Sequence, residues 1–189
     1  MAERVMAAMS GGVDSTAAAV RLMDSGYEIA GGTMLLDPVN SPQNAKDAEN
    51  TAEELGIKHF TFDVRESFKR EVMDVFAASY MRGETPNPCS LCNIKIKFPE
   101  FIRFAAEKGY DRIATGHYAR VEFDVASGRY LLKKGKDEAK DQSYFLYRVK
   151  PEILARTIFP LGELTKDEVR AKARQFGLEV ADKGDSQDF

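Results

Sequence analysis

The stretch Met9-Ser10-Gly11-Gly12-Val13-Asp14-Ser15 follows an apolar run, Val5 to Met9, and opens an amphipathic one, Thr16 to Leu22. That order reads as strand, tight turn, helix. Two adjacent glycines let the backbone turn sharply and bring bare N–H groups against phosphate oxygens. The helix N-terminus behind them adds its dipole and orphan donors. The turn is therefore expected to clamp a pyrophosphate. It is neither a Walker A loop, which would end in lysine, nor a GxGxxG dinucleotide fingerprint. A Gly-Gly turn that merely caps a helix is the plain alternative, and the strand and helix on either side argue against it.

Beyond this stretch, apolar runs suited to buried parallel strands alternate with helical periodicity. Strands are expected at Val5 to Met9, Glu28 to Leu35, His59 to Asp63 and Arg112 to Thr115. Helices are expected at Ala45 to Leu55, Phe68 to Met81 and Phe98 to Lys108, the first and last stopped by Gly56 and Gly109. The pattern predicts an α/β fold with a doubly wound parallel sheet. After Gly116, Ala119 to Asp124 and Arg129 to Lys133 alternate around Ser127-Gly128 as a hairpin. Thr165-Lys166-Asp167-Glu168 is a capping box for a helix to about Phe176. Turn formers from Phe159 to Glu163 place a domain boundary: 1–160 as the nucleotide domain, 161–189 as the beginning of a second.

A chain of 189 residues is long enough for one sizeable core or for one domain plus the start of another. Its 27 Lys and Arg against 30 Asp and Glu give a net charge of −3, so any nucleic-acid contact must come from a local patch. One such patch is Arg129, Lys133, Lys134, Lys136 and Lys140, near the aromatics Tyr144, Phe145 and Tyr147. The cations suit phosphates. The aromatics are expected to pack in the core, with stacking on splayed bases as the alternative. No run is long enough to span a bilayer and no signal peptide is visible, so a soluble cytosolic protein is expected.

The second dense constellation is Thr85-Pro86-Asn87-Pro88-Cys89-Ser90-Leu91-Cys92-Asn93. Its prolines predict a stiff approach, with both thiols at the mouth of a loop leading into a helix around Lys95. That spacing suits a metal, an iron–sulfur cluster or a redox dithiol. The chain has two cysteines and two histidines, His59 and His117, so a complete internal zinc site is unattractive. A pair of buried, inert thiols is the bland reading, and the Pro- and Asn-rich flanks favour a reactive one.

TPNPxxxCN followed by Ile94-Lys95-Ile96-Lys97-Phe98, Ala114-Thr115-Gly116-His117-Tyr118, Lys140-Asp141-Gln142-Ser143-Tyr144-Phe145-Leu146-Tyr147 and Phe159-Pro160-Leu161-Gly162-Glu163-Leu164 resembles, in order and spacing, the tRNA-specific 2-thiouridylase family. SGGVDS by itself resembles the PP-loop of ATP pyrophosphatases generally. The family resemblance implies that ATP, with Mg²⁺, adenylates the C2 oxygen of the wobble uridine of tRNA, and that sulfur from a donor protein or sulfide then displaces AMP. Carried over by position, it implies ATP contacts at Ala8, Met9, Ser10, Gly11, Gly12, Val13, Asp14, Ser15, Met34 and Gly116. Asp14 would be a Mg²⁺ or phosphate-side residue, with a helix N-cap as its structural alternative. Cys92 matches the family's nucleophile, and His117, Lys140, Asp141 and Gln142 match positions that meet tRNA.

Two departures stand out. Where most of that family has aspartate, this chain has Cys89, turning Asp-x-x-Cys into Cys-x-x-Cys. The chain also stops at Asp185-Ser186-Gln187-Asp188-Phe189, inside a motif that leads to a second cysteine in the family, so a fragment is expected. Cys89 and Cys92 would then be two ligands of an iron–sulfur cluster completed by a later cysteine. In the competing scheme Cys92 works as a persulfide- or disulfide-forming thiol. Two other functions stay open: a PP-loop enzyme adenylating a small carboxylate or a xanthine ring, and a non-catalytic ATP- or tRNA-binding fragment.

Overall fold

The structure, a computed structural model, describes residues 2–175; the C-terminal motif at 185–189 lies outside them. Five strands form one parallel sheet: β1 Arg4–Ala8, β2 Glu28–Leu35, β3 Lys58–Asp63, β4 Arg112–Ala114 and a short last strand, Thr157–Ile158. Their spatial order is β3-β2-β1-β4 and then Thr157–Ile158. The order reverses between β1 and β4, so a crevice opens at the carboxyl ends of those two strands.

Period-two alternation in β1 decides what covers each face. Val5 and Ala7 pack with Ala19 and Leu22 of helix α1 Val13–Asp24. Met6 faces the other way, toward Phe98, Phe101 and Ala105. Alanines at 17, 18 and 19 keep the middle of α1 free of bulk, so the helix seats closely on the sheet and on its neighbours. Helix α2, Ser41–Glu54, starts earlier than the expected Ala45, because Ser41 Oγ caps the preceding turn by accepting from the Leu36 and Asp37 amides at 2.9 Å each.

Two long helices each contain one wide π turn. Helix α3 runs over residues 65–81 as Arg65–Phe68, Lys69–Met73 and Asp74–Met81, the middle piece being π. Helix α4 runs over residues 88–107 as Pro88–Cys92, the π turn Asn93–Lys97, and Phe98–Glu107. The π turn lies just ahead of Pro99, which has no N–H for the carbonyl four residues back and would clash with it in a regular helix.

This corrects the expectation of a loop at the cysteines. Asn87 is an N-cap, its Oδ1 accepting from the Ser90 amide at 2.9 Å, and Pro88 occupies the first turn, where a missing N–H costs nothing. Cys89 and Cys92 therefore stand in a helix. The expected hairpin is present as β5 Ala119–Asp124 and β6 Arg129–Lys134 in a separate two-stranded sheet. Two single-turn helices, α5 Ser143–Leu146 and α6 Pro151–Leu154, lead into the last strand, here β7.

The final described element, α7 Lys166–Gln175, starts with the predicted capping box: the Thr165 amide donates to Glu168 Oε2 at 2.6 Å and the Glu168 amide to Thr165 Oγ1 at 3.3 Å. Residues after 160 pack on α1, with Leu161, Leu164 and Val169 against Ala17, Ala18 and Tyr118, and Ala173 against Val13. No helix among the described residues is long and apolar enough to cross a membrane.

Candidate active site

The crevice at the strand ends is a cavity of about 940 Å³. Gly11 makes the turn after β1 with φ +72°, and a Cβ on it would stand 2.6 Å from Asp47 Cβ of α2. Ser15 ties the turn together: its Oγ accepts from the Ser10 amide at 3.2 Å and donates to the Gly12 carbonyl at 3.0 Å. Below it, Thr33 Oγ1 donates to the Met9 carbonyl at 2.7 Å and so accepts from His59 Nε2 at 2.9 Å, which fixes that ring's tautomer. Burial lowers the pKa of His59. Gly116, after β4, closes the crevice: a Cβ there would lie 3.2 Å from the Asp14 carbonyl carbon and the Ser15 nitrogen.

Of the residues expected to hold nucleotide, Ala8, Met9, Ser10, Gly11, Gly12, Asp14, Ser15, Met34 and Gly116 all line this one cavity. Val13 does not; its side chain packs against Ala173. Asp14 is not the N-cap, a position held by Gly12. Its carboxylate accepts from Lys166 Nζ at 2.8 Å on both oxygens and from the Tyr118 hydroxyl at 2.8 Å. Lys166, at the start of α7, was not singled out by sequence. Its signal was faint, a lysine inside a capping box, and the fold brings it to Asp14 beside the glycine turn, 152 positions away in the chain.

Cys89 lines the same cavity, as do Lys97, Phe98 and His117. Cys92 does not. It is 0% exposed and packs among Val64, Phe68, Val72 and Ile96. Burial pushes its thiol pKa up, against the nearby Lys97 charge and a hydrogen bond from the Lys97 amide. The expectation of a reactive, loop-mouth thiol is thus corrected at Cys92, where the Lys97 charge does not offset the loss of water.

His117 sits between Phe98, with ring centroids 5.9 Å apart, and Phe159 at 6.1 Å, and its Nδ1 lies 2.8 Å from Thr115 Oγ1. Burial, helped by the Lys97 charge, lowers its pKa to about 3, so the ring is neutral at physiological pH. Lys140 and Gln142 line the cavity, whereas Asp141 does not. Asp141 is a loop cap, accepting from the Gly135 amide at 2.9 Å and Ser143 Oγ at 2.7 Å. Gln142 is also structural, its Oε1 accepting from the Tyr118 amide at 3.0 Å. The expectation that the aromatics pack in the core is corrected for two of them. Tyr144 and Tyr147 are 66% and 63% exposed and stack on each other with centroids 5.9 Å apart. Part of the basic patch is neutralised, Lys133 by Glu122 and Lys136 by Glu168.

Residues 3–189 match the family described as "tRNA methyl transferase HUP domain". The chain belongs to that family. Within the HUP-domain family it is 48% identical over 98% of its length to a protein of Treponema denticola named tRNA-specific 2-thiouridylase MnmA, of which it covers 53%. A protein of the same name from Heliobacterium modesticaldum is 45% identical over all of this chain, which covers 52% of it. The chain thus spans about half the length of these relatives. Among solved structures, a 4-thiouridine synthetase in complex with RNA and ATP superposes with a TM-score of 0.62 at 18% identity, over 96% of this chain and 43% of that one. That likeness confirms the α/β HUP-type fold.

Proposed function

We propose that this chain is the ATP-using part of a cytoplasmic tRNA 2-thiouridylase. The observation that carries the reading is a single cavity joining the phosphate turn to Cys89, His117, Lys140 and Gln142. ATP lies with its adenine by Met34 and its β- and γ-phosphates on the turn from Ser10 to Ser15. The uridine enters from the side of Cys89 and His117. Its C2 oxygen attacks the α-phosphate, pyrophosphate leaves along the turn, and sulfur from sulfide or a donor protein then replaces AMP at C2. The relatives' names support thiolation, and a clamp for pyrophosphate suits ATP cleavage rather than the methyl transfer in the family's description.

The protein's own contribution is positional. Bare amides of the glycine turn and the α1 N-terminus meet the phosphates, Lys166 adds a cation, and neutral His117 leaves the acceptor pocket able to take an uncharged base. Mg²⁺ is assigned to no residue, since the Asp14 carboxylate is already engaged by Lys166 and Tyr118. Of the two thiols expected to ligate a cluster, Cys89 lines the cavity and Cys92 is enclosed by apolar side chains, so no cluster is assigned to the pair. Residues 1–160 form the ATP domain, and the piece that follows begins a tRNA-facing unit anchored on α1. The test is incubation with ATP, sulfide and unmodified tRNA, reading AMP, pyrophosphate and thiolated uridine. Absence of tRNA-dependent AMP from a folded preparation that binds ATP overturns the proposal.

A further inference from the structure

The single turn α5 presents two tyrosine rings to water. Tyr144 and Tyr147 are both mostly exposed, and their rings stack with only 22° between planes. Two other ring pairs that reach the surface, Phe76–Tyr80 and Phe123–Tyr130, meet at 50° and 56° and offer no common plane. The fold does not depend on the two tyrosines. On its inner side α5 is held by Leu146, which is fully buried, and by Asn93, whose Nδ2 donates to the Phe145 carbonyl at 3.1 Å. That bond ties α5 to α4 at the residue after Cys92, while Gln142, two residues before Tyr144, lines the cavity. The stacked pair is therefore fixed beside the site on an anchored turn. Arg148 and Lys150 stand exposed on the same segment, and Lys140 is on the cavity wall. From residue 142 to 152 the only acid is Glu152, 3.9 Å from Lys150.

We propose that Tyr144 and Tyr147 are a stacking platform for an unpaired base of the RNA, a loop nucleotide next to the uridine that enters the cavity. The proposal rests on the reading of the substrate as tRNA. A base in a single-stranded loop has both π-faces free, and a near-parallel tyrosine pair extends its stack whatever the base is. Arg148 and Lys150 then meet backbone phosphates beside that base. This charge is what selects RNA as the occupant: an apolar protein face laid on the same rings would leave the cations without counter-charge. Stacking carries little sequence information, so the platform positions the loop and leaves the choice of base to the cavity.

The test is titration of the whole chain, without ATP, into a synthetic anticodon stem-loop that carries 2-aminopurine on one side or the other of the uridine. Anisotropy reads affinity, and quenching of the 2-aminopurine reads stacking. Quenching is expected at one of the two positions. Tyr144→Ala with Tyr147→Ala should weaken binding about tenfold, toward the low end for one stacked base, and abolish the quenching. Tyr144→Phe with Tyr147→Phe should keep both. The rings carry no charge, so the alanine pair should leave the slope of log affinity against log salt at the parent value, whereas Arg148→Gln should reduce it by about 0.7 for one lost single-strand phosphate contact. Leucine replaces alanine if the latter pair does not fold. Parental affinity or quenching in the folded alanine or leucine pair overturns the proposal, as does a parent chain that leaves both probes unquenched. Rings that join two copies of the chain instead would show as a dimer that the alanine pair dissociates while RNA affinity stays at the parent value. Absence of tRNA-dependent AMP removes the proposed function, and the ATP-free titration still decides the platform.

Discussion

Replacing Lys166 by methionine should destabilise the protein by about 3 kcal/mol, the low end of the cost of breaking a buried pair by removing one partner. The side chains of Lys166 and Asp14 are 9% and 27% exposed, and both carboxylate oxygens are 2.8 Å from the ammonium. Without that ammonium, Asp14 keeps the Tyr118 hydroxyl at 2.8 Å and some water, which is why the cost stays near the low end. Methionine retains most of the apolar stem but not the ammonium, which also lies 5.9 Å from the Tyr118 ring centroid, so the loss is chiefly electrostatic. For a chain of this length about 3 kcal/mol lowers Tm by roughly 6–12 °C. The assay is urea unfolding of Lys166→Met, Asp14→Asn and the double variant. A coupling energy of about 2 kcal/mol is expected, against roughly 0.2–1 kcal/mol for an exposed pair. Coupling below about 0.5 kcal/mol, or its complete disappearance on raising salt, would refute the claim that this pair fastens α7 to the phosphate turn. ATP should protect the parent more than Lys166→Met, because the phosphates lose their cation.

Gly11→Ala should cost about 1–2 kcal/mol for the left-handed backbone alone, with further destabilisation from the 2.6 Å approach to Asp47, and should weaken ATP binding. Gly12 has φ −102° and ψ 164°, extended backbone that valine adopts, so Gly12→Val should abolish ATP binding in calorimetry, with the fold kept at a cost of about 1 kcal/mol for the poorer N-cap. His117, with a folded pKa of about 3 against an ordinary value of 6.5, contributes stability that is complete above pH 6.5. That stability falls as pH drops toward 3, because the unfolded chain takes up the proton first, and His117→Asn should flatten the slope of urea midpoint against pH over that range. Lys134→Glu with Lys140→Glu should weaken tRNA binding in gel shifts, with ATP affinity unchanged. Its salt slope should fall by about 0.9 for each backbone phosphate that the two lysines neutralise.

Four strands of the sheet, the glycine turn and the capping box at Thr165 were legible in the amino-acid order, because each depends on neighbours a few positions away; the short last strand, Thr157–Ile158, was not. Short apolar runs specify buried strands, adjacent glycines a tight turn, and a hydroxyl followed by glutamate three places on satisfies the first amides of a helix. The start of α4 was legible too: asparagine then proline is a helix-cap signal, and reading both prolines as loop formers hid it. Other features needed the folded chain, since they join partners far apart in sequence. Lys166 meets Asp14 because β7 returns the chain beside β4 and α7 then lies on α1, a juxtaposition that no local pattern encodes. The two cysteines look equivalent in sequence. One lines the cavity while the other is enclosed by apolar side chains because three residues of α-helix turn the chain about 300°, which points the two thiols toward different surroundings. Burial then sets the chemistry: the energy of a charged sulfur depends on what surrounds it, and those surroundings come from elements remote in the chain.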